Sequence, residues 1–131
     1  LMVKLAYIPS DDALELMVRS TVGHGTVQGF STINTISAKL VDANGNQALP
    51  GAGRDHSGVC GNAIRGAGLD MVARLAAIRE KLGLDFAING VGGVVSPADY
   101  QAYRDAGADS VMSATGAMWD AELAHKIKAS R

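Results

Sequence analysis

An ammonium, a pair of polar side chains and three glycine-bearing loops recur along the sequence. They are Lys4 in MVKLAY, Asn34 and Thr35 in STINTIS, Gly58 and Gly61 in HSGVCG, Gly92 and Gly93 in INGVGG, and Ala114, Thr115 and Gly116 in SATG. A lysine among apolar strand residues is costly unless its charge is paired or reaches water. Lys4 therefore either snorkels to the rim of a sheet or points at an anion or electron-rich ring beyond the strand. The Asn34 amide offers two donors and an acceptor, although Asn and Thr at a strand end also serve simply as turn formers. Glycines ahead of a helix expose backbone N–H groups that can cradle an anion. Two such loops, INGVGG and SATG, lie some twenty residues apart and each opens a helix. Together they match a phosphate site better than either does alone, with tight turns as the competing explanation. Gly90 is assigned no more than a turn.

Other reactive groups carry less. Cys60 precedes a helix, and His56 lies four residues upstream as the base a thiol nucleophile would need. A small apolar cysteine and a solvated loop histidine account for the pair more simply. His24 falls in a helix-to-strand connection and His125 on a final helix, with no assignable chemistry. No His, Cys, Asp or Glu set has metal-ligand spacing, so no metal is expected.

The elements that must hold these residues alternate. Residues 2–7 read as a strand, and Ser10 or Asp11 caps a helix with Leu14, Met17 and Val18 along one face. Residues 27–33 form a second strand. A Gly-, Asn- and Asp-rich stretch over residues 35–61 follows, with a turn or small hairpin at DANGNQ. A helix resumes near residue 62, interrupted by Gly66 and Gly68, and stops at Gly83. DFAIN is a third strand, and Ser96-Pro97 opens a helix that ends at Gly107. DSVMSA is the fourth strand, and AMWDAELAHKIKAS a single closing helix. Four strand–helix units in alternation predict an α/β fold with a parallel sheet and right-handed crossovers. Either a small doubly wound sheet or four consecutive units of a (β/α)8 TIM barrel satisfies that pattern. In both, ligands sit at the C-terminal ends of the strands, where the five groups fall.

Composition narrows the function. The 131 residues are 47% hydrophobic and 19% charged, with a net charge of −1, which fits one packed domain. No basic stripe marks a nucleic-acid partner, and no apolar run reaches the length of a membrane span. One cysteine excludes an internal disulfide framework and favours a reducing compartment, so a cytoplasmic location is expected. The sequence starts in mid-strand, without signal-peptide flanks, and reads as a piece of a larger protein.

Taken in order, VKL, INT at 33–35, SGVCG at 57–61, NGVGGVVSPADY at 89–100 and GADSVMSATG at 107–116 resemble the C-terminal half of the dihydroorotate dehydrogenase family. The resemblance implies a half-barrel fragment, strands five to eight of an FMN-binding (β/α)8 barrel spanning residues 1–131, with the N-terminal half absent. It implies that Lys4 contacts the flavin and stabilises its reduced, anionic form, and that Asn34 and Thr35 bind a dihydropyrimidine substrate. Gly58 and Gly61 would form the turn over the flavin and ribityl chain, and Gly92, Gly93, Ala114, Thr115 and Gly116 the FMN phosphate loops. The reaction implied is oxidation of dihydroorotate to orotate in pyrimidine biosynthesis. No catalytic base is expected in this chain, because the family's Cys or Ser base follows the fourth strand. SGVCG departs from the family's usual Gly-Gly-Leu-Ser-Gly, which leaves another dihydropyrimidine oxidoreductase open. A non-redox phosphate-binding half-barrel, or an isomerase or aldolase acting on sugar phosphates, would use the same loops. An isolated half-barrel would expose its edges and inner face, so self-association as a homo-oligomer, or pairing with the missing half, is expected.

Overall fold

The computed structural model describes residues 1–130. Four strands, β1 (Met2–Leu5), β2 (Gly29–Thr32), β5 (Ala87–Val91) and β6 (Ser110–Met112), make a parallel sheet in the order β1-β2-β5-β6. Helices α1 (Asp11–Thr21), α2 (Arg65–Leu82), α3 (Pro97–Asp105), α4 (Thr115–Trp119) and α5 (Leu123–Ala129) follow the strands in turn. Spatial order repeats chain order, with no reversal of the kind a doubly wound sheet has at its switch point. Among the described residues no helix is long and apolar enough to cross a membrane.

Local chemistry sets the helix ends. The Ser10 hydroxyl accepts from the Ala13 N–H at 3.2 Å and starts α1. Gly83 closes α2 in the left-handed conformation at φ 62°, where a side chain would be strained. Ser96 caps α3 and Pro97 takes its first position. The helices cover one face of the sheet, where Phe30 and Ile88 are fully buried with Leu14, Val18, Met71, Val72 and Leu75.

Three expectations are revised. Residues 35–61 are more ordered than a turn-rich stretch, for β3 (Ile36–Lys39) and β4 (His56–Val59) form an antiparallel ribbon. The DANGNQ turn sits beyond that ribbon. There the Asp42 carboxylate accepts the Asn44 and Asn46 N–H groups at 2.8 and 2.9 Å, a local bond that competes with longer pairing. Helix α2 runs unbroken through Gly66 and Gly68 after a 3-10 turn, Gly61–Ile64, because packing outweighs the helix penalty of glycine. The closing helix is two, α4 and α5. Asp120 is extended between them, and its carboxylate accepts the Glu122 N–H at 3.1 Å.

Candidate functional site

A cavity of about 110 Å³ opens where the parallel strands end. Lys4 reaches it from β1, and Asn34 and Thr35 from the end of β2. Gly61 borders it from the 3-10 turn, Gly92 and Gly93 from the end of β5, and Ala114, Thr115 and Gly116 from the start of α4. Nine of the ten residues singled out in the sequence thus meet at one place, from four strand ends. Gly58 does not. It lies within β4 opposite Ser37, and a methyl there would run into the Thr35 side chain, 2.8 Å from its Cβ. Gly58 therefore makes room for a cavity wall and is not itself part of one.

The lining sets donors among the apolar side chains of Ile33, Ile64, Val91 and Val94. The Lys4 ammonium has no ion-pair partner among the described residues, and no acidic side chain among them lines the cavity. No side chain caps the first turn of α4, so its leading N–H groups remain for water or a ligand. The Thr115 hydroxyl donates to the Cys60 sulfur at 3.6 Å across the opening. His56 is not placed to act on that thiol, since four residues along an extended strand cover about 13 Å. Its Nδ1 instead lies 2.9 Å from the Asp55 carboxylate.

What comes close to the loop glycines is the protein's own neighbouring segments. Gly93, at φ 70°, lies against the 3-10 turn, where an added Cβ would sit 2.9 Å from the Gly61 carbonyl oxygen and 3.0 Å from Asn62 Cα. At Gly116 an added Cβ would sit 2.7 Å from the Ser113 hydroxyl and 3.1 Å from Val95 Cα. Ser113 then ties the two loops by donating to the Val94 carbonyl at 2.7 Å. Loop–loop packing alone accounts for glycine at positions 93 and 116, and the cavity is the space the interlocked loops enclose.

Helix α3 braces this wall from behind. Tyr103 is fully buried, and its hydroxyl donates to the Gly92 carbonyl at 2.7 Å. Burial pushes its phenol up to about 12, so it remains a donor throughout the ordinary pH range. One turn earlier, Asp99 pairs with Arg65 and accepts from the Val95 N–H at 3.2 Å and the Ser96 hydroxyl at 2.8 Å. Burial raises the Asp99 carboxyl, but the hydrogen bonds from Ser96 and Val95 and the Arg65 charge outweigh it and leave it below the usual range. The sequence reading missed Tyr103, Arg65 and Asp99. Ser96-x-x-Asp99, with the form of a capping box, was the one signal available, while nothing local marks Tyr103. It also missed Ser113, although its hydroxyl stands at a strand end.

On the sheet face opposite the helices, Lys4, Ser31, Asn89 and Ser110 stand in register across the strands. The Ser110 hydroxyl donates to the Asn89 side-chain oxygen Oδ1, and the Asn89 Nδ2 donates to the Ser31 hydroxyl, both at 3.0 Å. Asn89 is thereby satisfied although only 4% exposed.

No protein-family model matches the chain. It is 36% identical over 126 residues to the dihydroorotate dehydrogenase of Dictyostelium discoideum, covering 96% of this chain and 34% of that protein. It is 32% identical over 111 residues to the dihydroorotate dehydrogenase (quinone) of Leptothrix cholodnii, covering 83% of this chain and 29% of that protein. The fold and site define an α/β protein with a donor-lined pocket at the ends of parallel strands. The chain belongs to the dihydroorotate dehydrogenase family, and it spans about a third of the length of these relatives.

Proposed function

We propose that these residues form four consecutive units of an FMN-binding (β/α)8 barrel in a dihydroorotate-oxidising enzyme. They would supply the FMN phosphate site and part of the dihydropyrimidine site. The observation that carries this reading is the convergence of an unpaired Lys4, Asn34 and three glycine-bearing loops on one cavity that, among the described residues, no carboxylate lines. Such a donor set suits a phosphate monoester. Its volume is below the roughly 300–1,000 Å³ that encloses a drug-sized ligand, so it would take one end of the cofactor. The sequential strand order supports a barrel segment over a doubly wound sheet.

Bound flavin would supply the redox chemistry, accepting a hydride as dihydroorotate becomes orotate. The chain's own part is to bind and orient. The loops ending β5 and opening α4 would hold the phosphate, and the 3-10 turn at Gly61 would lie along the ribityl chain. Asn34, exposed and with its side chain free of described partners, would present its amide to the substrate with Thr35 beside it. Lys4 would set a fixed positive charge where negative charge develops. The base that takes the accompanying proton would come from outside these residues.

Flavin titration of the purified protein tests the reading, with dihydroorotate-dependent bleaching of the flavin as the second step. FMN binding with bleaching, and bleaching slowed about a hundredfold or more in Lys4→Ala, is the expected result. Binding of inorganic phosphate or a sugar phosphate without FMN would refute it in favour of a non-redox phosphate site.

A further inference from the structure

We propose that one face of α3 is a template for the phosphate loop, with Tyr103 and Asp99 acting as positioning residues that fix Gly92 to Val95 from behind. This rests on the FMN reading above and adds to it how the loop acquires its shape before any ligand arrives.

The two residues stand four apart, on the same side of the helix. Tyr103 holds the front of the loop through the Gly92 carbonyl at 2.7 Å, and Asp99 holds its end through the Val95 N–H at 3.2 Å. The loop that these two bonds bracket opens on Gly92 and Gly93, at φ 131° and 70°, conformations that lack a side chain's own preference to hold them. A free loop of this kind would sample many shapes, so its geometry has to be imposed from outside. Two distant glycines are consistent with that role. Gly68 on α2 and Gly90 on β5 both face the Tyr103 ring, with its Cζ 3.1 Å from where a Cβ at Gly68 would sit and its Cγ 3.2 Å from one at Gly90. A phenol seated this deeply between helix and strand has one orientation, and its hydroxyl therefore fixes one position for the Gly92 carbonyl. Arg65 completes the brace, because it pairs with Asp99 while its own Cβ lies against Gly93, 2.7 Å from where a Cβ there would sit.

The test is Tyr103→Phe, which keeps the ring and removes the tether. In the ligand-free protein, amide hydrogen exchange at Val95, whose N–H Asp99 holds, should quicken about tenfold, as loss of one buried hydrogen bond implies, while Val72 and Leu75 in α2 stay protected. FMN affinity should fall by about the same factor, while riboflavin, which lacks the phosphate, keeps its Kd. A drop in the FMN-to-riboflavin ratio separates positioning of the phosphate loop from general support of the fold. Unchanged exchange, or faster exchange spread equally over α2, overturns the proposal, and so does an unchanged flavin ratio. A wild-type protein that binds neither flavin counts against the FMN reading alone, and the exchange pattern then decides the role of Tyr103 by itself.

Discussion

Gly68→Ala gives the sharpest test of the packing behind the site. In a helix interior this substitution ordinarily stabilises, by about 1 kcal/mol. Here the new methyl would fall well inside contact distance of the Tyr103 hydroxyl, with the Tyr103 Cζ at 3.1 Å and the Val91 carbonyl oxygen at 3.3 Å. Relief requires the ring to move, and Tyr103 is fully buried with Gly90 against its other side. Overpacking at such a site costs about 1–3 kcal/mol. Displacing the hydroxyl from the Gly92 carbonyl adds about 1–3 kcal/mol for a buried acceptor left unpaired. Set against the helix gain, the net loss is about 1–5 kcal/mol. In a Tyr103→Phe background the hydroxyl is gone, and the same methyl needs a shift of only a few tenths of an ångström. Gly68→Ala should then be neutral or stabilising by up to about 1 kcal/mol. Urea unfolding of the four proteins, with equal m-values, reads the coupling as shifts in the midpoint. A coupling near 2 kcal/mol is expected. Additive effects within about 0.5 kcal/mol would show that the hydroxyl is not what excludes a side chain at position 68.

Two further outcomes follow from the same geometry. Hydrogen bonds from Ser96 and Val95 and the Arg65 charge hold the folded Asp99 carboxyl below the ordinary aspartate range, so its contribution to stability is complete above that range and is lost as pH falls through the lower, folded pKa. Asp99→Asn should therefore flatten the fall of the urea midpoint as pH drops below about 4, and an unchanged acid limb would remove the carboxylate from the brace. The sheet ends in two open edges, β1 and β6, and its face opposite the helices exposes Met2 at 49% and Met112 at 56%, so the purified 131-residue chain should sediment as a dimer or larger. A monodisperse monomer would refute that proposal.

The parts of the molecule legible in the sequence are those whose physics is local. Ser10, Ser96-Pro97 and Gly83 mark helix ends because capping and left-handed glycine act within one turn of the chain. Alternating strands and helices mark a parallel sheet, and strand ends then mark the site, which is why Lys4, Asn34 and the SATG loop meet as expected. Contacts between distant segments left no such trace. The β3–β4 ribbon pairs residues some twenty apart through backbone groups that every sequence possesses. Gly58 reads as part of a glycine turn, although its pairing with Ser37 and its contact with Thr35 decide its position. The break at Asp120 was in principle visible, because an aspartate inside a helix pattern competes for backbone N–H groups.

The glycines of INGVGG illustrate why a cluster of one residue type need not have one cause. Gly90 lies in a regular strand, and what excludes a side chain there is the ring of Tyr103, thirteen positions on. Gly93 is excluded from bearing a side chain by the 3-10 turn that follows β4. Gly92 touches neither obstacle closely, its would-be Cβ no nearer than 3.4 Å to any neighbour, and its constraint is the backbone angle of 131°. The Tyr103 ring, the 3-10 turn and the backbone angle of Gly92 thus impose three separate requirements on four consecutive residues. It follows that a change behind the wall, at Gly68 or Tyr103, reaches the cavity through the Gly92 carbonyl without altering any residue that lines it.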